Sequence, residues 1–304
     1  MSELKLFESR HPDKRARRQY NDLIGIDDQK QRLLDDLTLL FEPERFTRWR
    51  KKHHATLPFA DAGPMRSPMI LLSGEVGCGK TALATSVATP LAEVLDRDVL
   101  TMETPSDIRG WGRVGEISAR LTDAFSQAKM RARDVKAGIL LLDEADDLAT
   151  SRAQMQAHHE DRAGLNVLIK QIDLVEREKV PLVVVLITNR ASVVDPAVLR
   201  RAALHLKFER PDQAARKHLF ERMLAGTNAN PRSVSALVRA TEEREVPYTA
   251  SDLLERVGQL ALRRAFSADR PFGADILLET LRSVEPSPLL EGPTSQLATH
   301  DGPG

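Results

Sequence analysis

The sequence predicts an α/β body of the doubly wound kind followed by a small all-helical lid. Two observations carry that expectation. Short uninterrupted apolar runs at 69–72, 99–102, 139–142 and 182–187, with a weaker one at 204–208, alternate with helical patterns. From Pro211 to residue 284 the chain shows helical periodicity alone. Continuous apolar strands suit a parallel sheet covered on both faces, and the helices between them supply the crossovers.

Taken in order, residues 1–22 are polar and basic, with Lys14, Arg15, Arg17 and Arg18, and read as a flexible arm. From Asp27, apolar residues recur at Leu33, Leu37, Leu40 and Phe41, the spacing of a one-sided helix, and Pro43 opens a second helix ending near His54. The stretch 56–68 is a Pro/Gly-rich connection. Between the apolar runs, Ile117, Leu121 and Phe125 line one helix face, and Leu165, Leu168, Ile169, Ile172 and Val175 line another. Pro211 and Asp212 then start the lid, with helical stretches at 212–225, 231–244, 249–267 and 273–284. The third opens with Thr249 followed by Asp252, close to a capping box. The predicted division is an arm at 1–22, a nucleotide-binding body at 23–210, a lid at 211–284 and a disordered tail at 285–304, where Pro, Ser, Gly and Thr lack periodicity.

Composition narrows the function classes. Forty-four Lys plus Arg balance forty-four Asp plus Glu, so no global field draws the chain to nucleic acid or an acidic membrane. With 41% hydrophobic and 29% charged residues, a wholly disordered chain is excluded. One cysteine, Cys78, forms neither an internal disulfide nor a Cys-rich zinc site, and fits a reducing compartment. No secretory-signal pattern and no apolar run of ~18–20 residues is present, so the expected location is cytoplasmic.

The strongest motif is GlyGluValGlyCysGlyLysThr at 74–81, directly after an apolar strand and before a helical run. Gly74, Gly77 and Gly79 let the backbone curl so that its N–H groups meet phosphate oxygens at a helix N-terminus. Lys80 reaches the β- and γ-phosphates, and the Thr81 hydroxyl ligates Mg²⁺. The run 139–142 delivers Asp143 and Glu144 to a strand end, Asp143 as a metal-side carboxylate and Glu144 as the base polarising a water. Asn189, after 182–187, either orients that water or simply caps a turn. Asp195 and Pro196 lead a short helix to Arg200 and Arg201, which either cover a surface or supply positive charge to a neighbouring subunit's phosphoryl group.

With these four elements in this order, residues 20–284 resemble the AAA+ ATPases, P-loop NTPases with a parallel sheet flanked by helices and a small helical lid. The resemblance implies ATP and Mg²⁺ as ligands. It assigns Ile24 and Gly25 to adenine, and the Walker A residues Gly74, Glu75, Val76, Gly77, Cys78, Gly79, Lys80, Thr81 and Ala82 to the phosphates. It assigns Thr81 and Asp143 to the metal, Glu144 to catalysis, Asn189 to the first sensor, and Arg200 and Arg201 to paired arginine fingers. It also implies a homo-oligomeric ring, a hexamer. The segment at 106–116 resembles the first pore loop of the protein-remodelling branch, with Arg113 in the usual aromatic slot and Trp111 two positions earlier; 153–161 resembles the second. The segment 248–252, with Ala250 near the nucleotide, is similar to the start of that branch's lid helix. More narrowly, the AspProAlaValLeuArgArgAlaAla and GlyArgValGlyGlu segments resemble bacterial relatives of the pachytene-checkpoint ATPase. Those relatives convert HORMA-domain adaptors, often within cyclic-oligonucleotide antiphage systems. The implied function is an ATP-driven protein remodeller; the alternatives are a nucleic-acid loader or motor, and a nucleotide-gated switch without threading.

Overall fold

The computed structural model describes residues 4–54, 56–59, 67–106, 108, 115–146 and 159–290, with side chains from 163 in the last stretch. Six strands, β1 (Phe7–His11), β2 (Met69–Gly74), β3 (Val99–Glu103), β4 (Gly138–Leu142), β5 (Leu182–Thr188) and β6 (Ala202–Phe208), form one sheet in the order β1-β3-β4-β5-β2-β6. Strands β2 to β6 run parallel, and β1 is antiparallel to β3. The strand bearing the glycine-rich loop therefore lies between β5 and β6, with β4 one strand further out.

Successive side chains of each central strand enter opposite layers, as the pleat requires. Met69 and Leu71 of β2, with Leu140 and Leu142 of β4, join the core that packs under α6 (below), whereas Ile70, Leu72, Ile139 and Leu141 join the other. On that second face lie α1 (Lys14–Asp22), α2 (Asp27–Phe41), α3 (Pro43–His53), α4 (Lys80–Ser86) and α5 (Ala88–Leu95). Of these, α2 buries Leu33 and Leu37, while α3 buries no side chain. The first face carries α6 (Glu116–Val135) and α7 (His159–Arg177), through Leu121 and Phe125 and through Leu165, Leu168 and Ile172. A sheet clad on both faces explains why its strands read as unbroken apolar runs.

The expected flexible arm is instead part of the body. Residues 7–11 pair with β3 from Phe7↔Glu103 to His11↔Val99. His11 is buried, its Nδ1 within 2.8 Å of Thr89 Oγ1 and its Nε2 within 3.2 Å of Thr101 Oγ1. Asp13 caps α1 by accepting from the Ala16 amide at 2.8 Å. Four of the five β1 residues are exposed, so no apolar alternation marks the strand; backbone hydrogen bonds to an edge hold it.

After α8 (Pro196–Leu199) and β6, the lid comprises α9 (Gln213–Met223), α10 (Pro231–Glu242), a π-helical turn at Asp252–Gly258 continuing into α11 (Gln259–Ser267), and α12 (Ala274–Ser283). Phe220, Leu237, Tyr248, Leu253 and Leu277 are fully buried in its separate core. The Tyr248 hydroxyl donates within reach of the Leu281 and Val284 carbonyls, closing the end of α12. The tail is a second correction. Residues 285–290 are not disordered, because Ser287 binds Asp252 through its amide and hydroxyl and Arg210 binds the Ser287 and Pro288 carbonyls. Residues 291–304 lie outside the described chain. No described helix is long and apolar enough to cross a membrane.

Candidate functional site

Strand β2 ends at Gly74, where the chain passes so close to β6 that a Cβ would sit 1.9 Å from the Phe208 carbonyl oxygen. With φ at 132°, this position excludes every side chain. The loop then turns into α4, whose first residue, Lys80, is 5% exposed. Its ammonium donates to the Gly74 and Glu75 carbonyls at 2.7 and 2.6 Å. Burial pushes the Lys80 pKa down, opposed by Cys78, Asp143, Asp146 and Glu75 around it. A buried cation held only by main-chain carbonyls is one that an anionic ligand can reclaim.

The acidic segment follows β4. Thr81 Oγ1 donates to Asp143 Oδ2 at 2.8 Å, and the Glu144 amide donates to Asp143 Oδ1 at the same distance. Glu144 has φ at 54°, a left-handed conformation that costs a non-glycine residue roughly 1 kcal/mol or more. Both carboxylates are exposed to the cleft. At the end of β5, the Asn189 amide donates to Asp146 Oδ1 at 3.0 Å, and the Thr188 hydroxyl donates to the same oxygen. Asp146 thus ties the segment after β4 to the end of β5. It was visible in the sequence only as a third acid after an apolar run.

The lid closes the other side. The Ser251 amide donates to the Gly77 carbonyl at 3.0 Å, and a Cβ on Gly77 would lie 2.9 Å from Ser251 Cβ. Between body and lid is a cleft of about 400 Å³, lined by Leu23, Val76, Gly77, Gly79, Lys80, Thr81, Ala82, Asp143, Glu144, Asn189 and Ala250, together with Ser251, Leu254 and Glu255. Ser251 falls in the segment 248–252 already singled out by resemblance, whereas Leu254 and Glu255 carried no sequence signal, since their relevance comes from the lid folding back onto the loop.

Other expected residues stand elsewhere. Gly74, Glu75 and Cys78 support the loop from behind; burial drives the Cys78 thiol up to about 11. Ile24 packs on the lid core and Gly25 lines a neighbouring groove, leaving Leu23 to face the cleft. Arg200 and Arg201 precede Ala202, which pairs with Met69, while Gly74 pairs with Phe208. They therefore sit at the far end of the sheet, about 20 Å from their own loop at 3.3 Å per residue. Arg201 is engaged with Asp173 of α7 through Nε–Oδ1 at 2.7 Å and Nη2–Oδ2 at 3.1 Å. Arg200 is exposed and has no ion-pair partner among the described residues. Trp111, Arg113 and the segment 153–158 lie outside the described residues.

The donor set fits a magnesium-bound phosphate chain: a threonine hydroxyl and a carboxylate already share a hydrogen bond beside a helix N-terminus, and all are hard oxygen ligands. Comparison with known proteins identifies the family. Residues 70–210 match the model of the ATPase family associated with various cellular activities (AAA). CD-NTase-associated protein 6 of Escherichia coli strain MS 115-1 is 39% identical over 266 residues, covering 83% of this chain and 86% of that protein. A chain of the solved E. coli MS115-1 HORMA:CdnC:Trip13 complex superposes with a TM-score of 0.88 at 34% identity, over 95% of this chain and 98% of that one. Rhizobiales Trip13 gives 0.73 at 30% identity, over 93% and 98%.

Proposed function

The chain belongs to the AAA family of ATPases, and from that premise we propose that it is a magnesium-dependent, hexameric remodeller of a HORMA-domain protein in the cytoplasm. It binds nucleotide and hydrolyses ATP as its family does. The observation that carries the finer reading is the location of the residues. One protomer assembles Lys80, Thr81, Asp143, Glu144 and Asn189 around a cleft bounded by its own lid, while its two candidate arginines lie at the opposite end of the sheet. A site that no guanidinium lines among the described residues, on a molecule displaying one elsewhere, is completed by a second copy.

In this mechanism Lys80 leaves the Gly74 and Glu75 carbonyls for the β- and γ-phosphates, and the loop amides up to α4 hold the remaining oxygens. Thr81 and Asp143 would hold a magnesium ion, which would supply positive charge to the phosphate oxygens. Glu144 takes the proton of the attacking water, and Asn189, fixed through its main chain by Asp146, orients that water. Arg200 of the next protomer is the principal finger, because Arg201 is committed to Asp173. Pore segments around Trp111 and Arg113 grip the protein substrate while the lid turns against the body.

The HORMA assignment is supported by likeness to a chain of the HORMA:CdnC:Trip13 complex. Its test is an ATP-dependent change in a HORMA-domain protein supplied with a bound peptide, followed by size-exclusion chromatography. The chain is expected to release the peptide with ATP and not without it, and Glu144→Gln to bind the HORMA protein without releasing it. Peptide release at equal rates with and without ATP would sink the reading.

A further inference from the structure

Arg210 lies between the end of β6 and the start of α9, at the junction of body and lid. Its side chain is 6% exposed, yet it serves four acceptors from three parts of the chain. Nη1 donates to the Pro247 carbonyl at 2.5 Å and the Ser287 carbonyl at 2.8 Å. Nη2 donates to Glu75 Oε2 at 3.1 Å and the Pro288 carbonyl at 2.8 Å. Both terminal nitrogens are thereby fully used; Nε is buried without a partner.

The two ends of this fork differ in character. Glu75 belongs to the phosphate loop and is pinned three ways: its amide donates to the Phe208 carbonyl at 3.3 Å, its carbonyl accepts from Lys80 at 2.6 Å, and its carboxylate meets Arg210. The other end is the segment after α12. There the Ser287 amide donates to Asp252 Oδ2 at 3.0 Å, the Ser287 hydroxyl to Asp252 Oδ1 at 2.7 Å, and Arg256 Nη1 to that same oxygen at 2.6 Å. Asp252 in turn closes the box with Thr249, two residues before Ser251 reaches Gly77.

We propose that Arg210 and residues 285–288 form a clasp through which nucleotide occupancy of the phosphate loop sets the attachment of the C-terminal segment and the angle of the lid. This rests on the nucleotide reading above. When Lys80 turns to a phosphate chain, Glu75 loses one of its three restraints and is held by two, the main-chain bond to Phe208 and the Arg210 pair, of which only the pair reaches the C-terminal segment. A buried guanidinium cannot give up its single carboxylate without cost, so the fork follows the loop and carries the Ser287 and Pro288 carbonyls with it. With nucleotide bridging Lys80 and Ala250, loop and lid approach and the clasp tightens. Arg210 acts through Glu75 and is a positioning residue; it does not face the cleft.

Hydrogen–deuterium exchange on the full chain, with and without a non-hydrolysable ATP analogue, tests the clasp. Slowing of exchange at 285–290 by about tenfold on nucleotide binding is expected, alongside protection of the 74–81 amides. In Arg210→Lys, which cannot fork to four acceptors, the loop should still be protected while the response at 285–290 disappears. Ser287→Ala, a milder change on the other side of the fork, should reduce that response and lower kcat for ATP while changing KM by less than about threefold. Loop protection in the wild-type chain with unaltered exchange at 285–290 would overturn the clasp alone. Absence of loop protection would overturn the nucleotide reading and the clasp with it.

Discussion

Glu144 is the residue at which backbone and chemistry meet. Its left-handed φ turns the chain just after β4, and its amide occupies one oxygen of Asp143 while Thr81 occupies the other. Glu144→Gln keeps the side-chain shape and removes the proton acceptor. Hydrolysis should fall by about 10²–10⁴-fold with ATP affinity retained, measured by phosphate release and fluorescent-nucleotide binding; turnover at the wild-type rate would refute the base assignment. The arginines separate on the same scale. Arg200→Ala should lower kcat by about 10³-fold or more, as loss of a finger does, and Arg201→Ala by less, because its guanidinium already serves Asp173. Cys78, despite its place in the loop, should resist alkylation by iodoacetamide at pH 8 in the folded chain and react on denaturation, since burial raises its thiol to about 11.

Among elements, the π-helical turn at Asp252–Gly258 is the most informative. Burial would raise the Asp252 pKa, but the amide and hydroxyl of Ser287, the Thr249 amide and Arg256 outweigh it and hold the carboxyl at about 2. An unfolded aspartate titrates near 3.9, so the folded form binds its proton later than the unfolded one. The resulting stability, about 2 kcal/mol, is complete above pH ~4 and is lost as pH falls toward 2. Urea denaturation at pH 7, 4 and 3 should reveal it as a gap between the wild-type chain and Asp252→Asn that narrows below pH 4. A gap of constant size would show that the carboxylate's charge is not what the turn depends on. The lid helices were legible from periodicity, and the Thr249–Asp252 box from its spacing, with both its hydrogen bonds present. Strand β1 was not legible: Phe-Glu-Ser-Arg presents no buried alternation, because β3 offers it backbone partners rather than a core.

At the level of the whole molecule, the proposed mechanism makes activity a property of the assembly, because Arg200 stands apart from its own cleft. Lys80→Ala protomers, unable to hold phosphate, and Arg200→Ala protomers, unable to complete a neighbour's site, should each be nearly inactive. Mixed in equal amounts they should recover about a quarter of the wild-type rate, since half the sites keep Lys80 and half of those have an intact neighbour. Equal inactivity before and after mixing would place the arginine's action within its own protomer.

The sequence by itself determined the succession of apolar strands and amphipathic helices, the glycine-rich loop, and the acids and amide delivered to strand ends. Those features are local: a pleat, a helical turn or a phosphate-binding loop dictates residue types at fixed spacings, and the spacings survive in the linear chain. Only the tertiary structure decided that residues 7–11 join the sheet, that Leu23, Leu254 and Glu255 line the cleft, and that Arg210 ties the phosphate loop to residues 287 and 288. The partners there are largely main-chain amides and carbonyls, which every residue carries and no pattern of side chains can announce.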